Sequence, residues 1–248
     1  MHSILIIVDM KNIIRKPYLD KIDQAFGKDI IIVLVGQRRI GKSYLLRRLG
    51  DEKAQDRSGN IIFVDKEKKE FDDIRDYHDL NAFIDGHRVK GKTNYILVDE
   101  IQNIAEFERT VRSYREEPDT EIVITGSNSL MLSSELTTLI GGRYKEIYVQ
   151  ALSYNEFLTF HQLPDNDDSL AKYINLGGLP GLQKMGLDEN DVREYQQDVL
   201  NTVLLKDVIM RNNIRNPVFL DNLIRFLADN TGKIISANSI SKSMRAQG

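Results

Sequence analysis

The sequence predicts an α/β fold around a parallel sheet, and three features predict it. Short runs rich in Ile and Val, IIIVLV at 30–35, IIFV at 61–64, YILV at 95–98 and EIVIT at 121–125, are continuous apolar blocks rather than alternating ones, which is how strands covered on both faces read. Polar segments of helical length separate these blocks. Directly behind the first stands GQRRIGKS at 36–43, a glycine-bearing octet where the chain must turn from strand into helix. Strand then helix, repeated, is the signature of a doubly wound sheet.

After the octet, Tyr44, Leu45, Leu46 and Leu49 fall at helical spacing, and further on Ile104, Phe107, Val111 and Tyr114 do the same, so both segments present an apolar face to the sheet. A fifth strand is expected at EIYVQAL, 146–152, whose partial alternation puts it nearer an edge. HQLPDNDDS at 161–169 is polar and contains a proline, which reads as a linker. Beyond it the chain reads as helical, with helices over 188–211 from Asp188 and over 217–230 with Pro217 in the first turn, and with GGLPG at 177–181 as a break. A last helix begins in SANSISKSMRAQG at 236–248, capped by Ser236.

Composition excludes several classes. The formal net charge of -3 argues against a protein that coats nucleic acid, and the absence of cysteine removes disulfides and thiolate metal sites, which suits a cytoplasmic protein. No stretch approaches a membrane span. SILIIV at 3–8 is too short for a secretion signal, has no basic segment before it and runs straight into Asp9 and Lys11, so export is not expected. Met10 is itself a plausible start; residues 1–9 read either as an upstream extension or as an extra edge strand.

The chemistry concentrates in a few places. Gly36, Gly41, Lys42 and Ser43 fit the pattern G-x-x-x-x-G-K-[ST]. Its glycines let backbone N–H groups turn in around phosphates, its lysine reaches the β and γ oxygens, and its hydroxyl ligates Mg²⁺. Residues Gly36, Gln37, Arg38, Arg39, Ile40, Gly41, Lys42, Ser43 and Tyr44 therefore form the candidate nucleotide loop. The block YILV ends in Asp99 and Glu100, suited to holding the metal and to activating a water. In TGSNS at 125–129, Asn128 is the first choice and Ser127 the second for a polar group near the γ-phosphate, with an ordinary turn as the competing reading. Arg143, behind Gly141 and Gly142, is a candidate arginine finger for a neighbouring subunit, with an exposed structural arginine as the alternative.

GQRRIGKS, LVDEIQNI, ITGSNSLML, GGRYKEIYVQALSYNEFL, LGGLPGL and LLKDVIMR together resemble the bacterial and archaeal AAA-superfamily P-loop ATPases that are usually joined to a C-terminal nuclease-like domain. The resemblance implies an AAA-type sheet of strand order 5-1-4-3-2, ATP as the nucleotide, and an α-helical lid leading into a winged helix; Mg²⁺ is the second expected cofactor, and a finger at Arg143 makes a homo-oligomer the expected working form. It divides the chain into an ATP-binding α/β domain at 1–160, the linker at 161–169, a helical lid at 170–232 and the start of a truncated winged helix at 233–248. The chain thus reads as a fragment, and a DNA contact is left open for the region beyond it. Lys233, Lys242 and Arg245 make at best a weak basic patch, and Arg211 in the lid reads as an ion-pair partner of Asp207 rather than a second sensor.

The expected function is ATP hydrolysis with Mg²⁺. A slow nucleotide-gated switch with its output beyond residue 248 is the alternative. A GTPase is disfavoured by the lack of an NKxD sequence, and a DNA-binding protein with a degenerate ATPase fold would need a complete winged helix.

Overall fold

The computed structural model describes residues 14–55, 59–126, 140–203, 208–209 and 216–246. The chain divides into two compact units, Met1–Gln196 and Gln197–Gly248. The first opens with α1 (Lys16–Asp23) and continues as β1 (Ile31–Val35), α2 (Lys42–Gln55), β2 (Gly59–Asp65), α3 (Tyr77–His87), β3 (Thr93–Asp99), α4 (Phe107–Arg115), β4 (Thr120–Thr125) and β5 (Tyr144–Tyr148). Helices α5 (Tyr154–His161), α6 (Asp167–Leu176) and α7 (Glu189–Thr202) follow.

All strand pairings are parallel, and the order across the sheet is β2-β3-β4-β1-β5, the expected 5-1-4-3-2 read from the other edge. Its burial explains the unbroken apolar blocks. Ile31, Val33 and Val35 point into one core with Ile62, Val64, Ile96, Val98, Ile122 and Ile124, covered by α3 and α4. Ile32 and Leu34 point into the other with Leu97 and Val123, covered by α1 and α2. Alternate residues thus face opposite layers, and each layer is apolar. Leu45, Leu46 and Leu49 are at most 1% exposed, as their spacing predicts. Ile104 is buried too, but it lies before α4, in the turn that follows the short 3₁₀ helix Ile101–Asn103.

Two sequence expectations shift. The fifth strand is Tyr144–Tyr148 rather than 146–152: it pairs with β1 from Ile31 to Val35, and β1 ends there because Gly36 turns away. The expected linker at 161–169 instead holds the end of α5 and the start of α6, where Asn166 caps Ser169 N–H at 2.9 Å. The compact units part after Gln196, well beyond that stretch.

Asp188 caps α7 by accepting from the N–H groups of Asn190 and Asp191. In the second unit, α8 (Pro217–Asp229) starts behind Asn216, whose side chain accepts from Phe219 N–H at 2.9 Å. The last helix, α9 (Ala237–Ala246), is capped by Ser236 through Ser239 N–H at 3.1 Å. Among the described residues no strand follows β5. Residues 1–9, Asp207 and Arg211 lie outside the described residues.

Candidate functional site

Residues 36–43 form a turn that depends on its glycines. Gly36 has φ 152°, and a Cβ there would strike the Val149 carbonyl. Gly41 has φ 96° and Arg39 φ 60°, so left-handed steps curl the loop before α2 begins at Lys42. Ile40, 2% exposed, anchors the loop from below among Leu19, Leu45 and Leu49, so its backbone rather than its side chain is available to a ligand. The first N–H groups of α2 have no intrahelical partners and, with the helix dipole, suit an anion. Lys42 is 5% exposed, its Nζ donating to the carbonyls of Gly36 at 2.9 Å and Gln37 at 3.1 Å. Gln37 and Arg39 are exposed, whereas Arg38, Ser43 and Tyr44 are half-buried.

The acidic pair meets this loop across the sheet. Asp99 ends β3, and between it and β1 runs β4, ending in Thr125. Thr125 Oγ1 donates to Asp99 Oδ1 and accepts from the Glu100 N–H at 3.1 Å, so one hydroxyl sets both acids. Burial raises the Asp99 pKa, opposed by the hydroxyls of Thr125 and Ser43, while Glu100 and Asp65 push it further up. Asp99 is 0% exposed and its Oδ2 has no hydrogen-bond partner. A buried acceptor left open beside a serine hydroxyl fits a hard cation. Among the described residues no group of three or more His, Cys, Asp or Glu could hold a metal, so an ion here would draw its other oxygens from nucleotide and water.

Glu100 is 8% exposed and takes a left-handed conformation at φ 52°, unusual outside glycine. Its Oε2 accepts from Gln102 Nε2. Beside it, burial first, then Glu100, Asp99 and Asp65, raise the Glu67 pKa against the pull of Arg38. Asp65, fully buried, is held by Arg47 at 2.7 Å. Carboxylates therefore crowd the carboxyl ends of β2 and β3, facing a loop that carries basic residues.

Of the remaining candidates, Asn128 and Ser127 lie outside the described residues. Arg143 is exposed at the amino end of β5, where its carbonyl accepts from Ile31 N–H at 3.1 Å. Gly36 follows the opposite end of β1, about 16 Å away at the usual strand rise of ~3.3 Å per residue.

The family described as an AAA domain matches residues 28–158, more than half of the 248 residues. The chain belongs to this AAA family. The match contains Gly36 to Ser43, Asp99, Glu100, Thr125 and Arg143. A second family, described only as a domain of unknown function, matches 167–248. An uncharacterized protein of Haemophilus influenzae is 32% identical over 240 residues, covering 94% of this chain and 60% of its own length. An uncharacterized protein of Methanocaldococcus jannaschii is 28% identical over 233 residues, covering 84% of this chain and 52% of its own length. The chain therefore spans about half to three-fifths of these curated relatives. Among solved structures, a Walker-type ATPase of Pyrococcus abyssi superposes with a TM-score of 0.58 at 16% identity, covering 94% of this chain and 89% of that one, a likeness of fold. No described helix is long and apolar enough to cross a membrane.

In this AAA domain several site residues escape sequence reasoning. Thr125 reads as an ordinary strand end, and Gln102 stands inside LVDEIQNI with no role assigned by the sequence. Arg15, 4% exposed, grips Glu156 through Nε at 2.8 Å and Nη2 at 3.0 Å and donates to the Gln150 carbonyl at 2.9 Å and, more loosely, to the Ile40 carbonyl at 3.5 Å. It thereby ties the loop to the start of α5. Pro180 approaches to 3.8 Å of where a Cβ on Gly41 would sit, and Arg39 lies over the Tyr195 ring at 5.3 Å, so GGLPG and α7 wall the loop on its outer side. Long-range contacts reveal Thr125 and Arg15, and Gln102 shows itself by reaching back to Glu100.

Proposed function

We propose that the protein binds Mg-ATP at Gly36 to Ser43 and hydrolyses it. The observation that carries the reading is the meeting of Ser43 with Asp99, whose Oδ2 is buried and unpartnered, next to Glu100. In this reading Lys42 exchanges its two carbonyl bonds for phosphate oxygens, Ser43 and Asp99 hold Mg²⁺, and Glu100 takes a proton from the attacking water. Bound Mg²⁺ would neutralise charge on the β- and γ-phosphate oxygens. Asn128, or Ser127, would meet the γ-phosphate.

The test is a set of variants measured for both binding and turnover. Lys42→Ala should weaken a fluorescent ATP analogue tenfold or more, about 1.4 kcal/mol. Glu100→Gln should bind nearly as well as wild type and turn over about 10² to 10⁴ times more slowly, while Asp99→Ala should lose Mg²⁺-dependent affinity. Equal affinity in wild type and Lys42→Ala would refute the site. A slow nucleotide-gated switch is the second reading, favoured by relatives much longer than this chain. It predicts tight binding with negligible turnover in wild type as well. The output, including any nuclease-like domain or DNA contact, belongs in either reading to the whole protein.

A further inference from the structure

Among the described residues, few buried side-chain polar atoms lack a hydrogen-bond partner, and two of them stand in this one site: Asp99 Oδ2 and Gln102 Oε1. The first is accounted for by the proposed Mg²⁺. The second is not. A buried amide oxygen without a donor forfeits the hydrogen bond it had in water, a cost that persists only where a partner arrives or a function demands it. Gln102 sits in the short 3₁₀ helix Ile101–Asn103 directly behind Glu100. The left-handed backbone at Glu100 turns the chain so that Gln102 Nε2 reaches back to Glu100 Oε2. With nitrogen committed to a carboxylate, the amide orientation is determined, because a flipped amide would set two acceptors against each other.

We propose that Gln102 orients the attacking water together with Glu100. Its Nε2 occupies Glu100 Oε2 and leaves Oε1 as the base; its open Oε1 accepts the hydrogen of the water that Glu100 does not take. A water has two hydrogens, and two acceptors fix the direction of its lone pairs where one leaves it free to rotate. In the step, the water oxygen bonds to the γ-phosphorus as the bond to the ADP oxygen breaks, the electron pair leaving on ADP. One proton passes to Glu100 and on to solvent, and the other stays on the product phosphate. This deepens the proposed hydrolysis and rests on it.

The experiment uses Gln102→Met, which keeps the volume and removes both polar groups, and Gln102→Glu, which keeps acceptors but loses the donor. Both should lower kcat about 10- to 100-fold, with KM for ATP and affinity for a non-hydrolysable analogue within twofold of wild type. Affinity for ADP with aluminium fluoride, which mimics the transferring phosphoryl, should fall in parallel with kcat. In a Glu100→Gln background, Gln102→Met should add little further loss, because the two act as one unit. A folded variant with wild-type kcat overturns the proposal, as does a loss shared equally by analogue binding, which would mark a structural role. Wild-type protein that binds ATP without turnover sinks the hydrolysis reading itself, whereas normal wild-type turnover with an indifferent Gln102 sinks only this one.

Discussion

Thr125 shows how much one side chain can set. Its hydroxyl donates to Asp99 and accepts from the Glu100 N–H, so the positions of both carboxylates hang on one buried group. Thr125→Val is close to isosteric yet leaves a buried N–H without an acceptor and Asp99 Oδ1 without its donor. The expected cost is about 1–3 kcal/mol of stability, measurable by urea unfolding, with a fall in turnover larger than the fall in ATP-analogue affinity. Unchanged stability and turnover would mean that the hydroxyl is dispensable. Gly36→Ala is a second test at this scale. The added Cβ meets the Val149 carbonyl on a backbone at φ 152°, so the loop must shift, and both Tm and nucleotide affinity should drop.

Helix α5 illustrates the scale of the element. Ser153 and Glu156 form a capping box at its start, and the same Glu156 carboxylate receives Arg15. Burial alone would raise the Glu156 pKa, but the hydrogen bonds from Arg15 and Ser153, together with the Arg15 charge, outweigh it and lower it. This contribution to stability is present above the ordinary glutamate value and is lost as pH falls through the lowered one. Arg15→Met should cost about 3 kcal/mol, the low end for a broken buried pair because Ser153 still serves the carboxylate. At the other end of α5, burial depresses His161 from 6.5 to about 4. Between those values the unfolded chain takes up the proton and the folded one does not, so stability should rise with pH across that window. His161→Leu should flatten the Tm profile between about pH 4 and 6.5 and leave the acid limb from Glu156 in place; an unchanged profile would show that His161 is not the group.

At the scale of the whole molecule, the question is which site Arg143 can reach. Arg143 is exposed at the sheet end opposite the loop, about 16 Å from Gly36 along β1, so within one chain it is poorly placed to meet its own nucleotide. As a finger offered to the next subunit it would be worth about 10³ to 10⁵ in rate. Specific activity should then climb with protein concentration, and mixing inactive Arg143→Ala with inactive Lys42→Ala should restore part of it. Activity independent of concentration, with a dead mixture, would return Arg143 to a structural role.

What could be read from the chain alone follows from periodicity and local backbone chemistry. Apolar blocks without alternation meant strands buried on both faces, because each alternate residue meets an apolar layer; glycines before Lys42 and Ser43 meant a loop that curls left-handedly into a helix, because few other residues tolerate such angles. The acidic pair at a strand end was legible for the same reason. Strand order is implied only by resemblance, and the fifth strand begins earlier than its own residues suggest because its ends depend on where β1 stops. Thr125, Gln102 and Arg15 carry no local signal. Arg15 and Glu156 lie 141 residues apart, and nothing near either demands the other. Such pairs are decided when the sheet and helices close on each other, since only then does the cost of burying a charge or an amide select the partner that satisfies it.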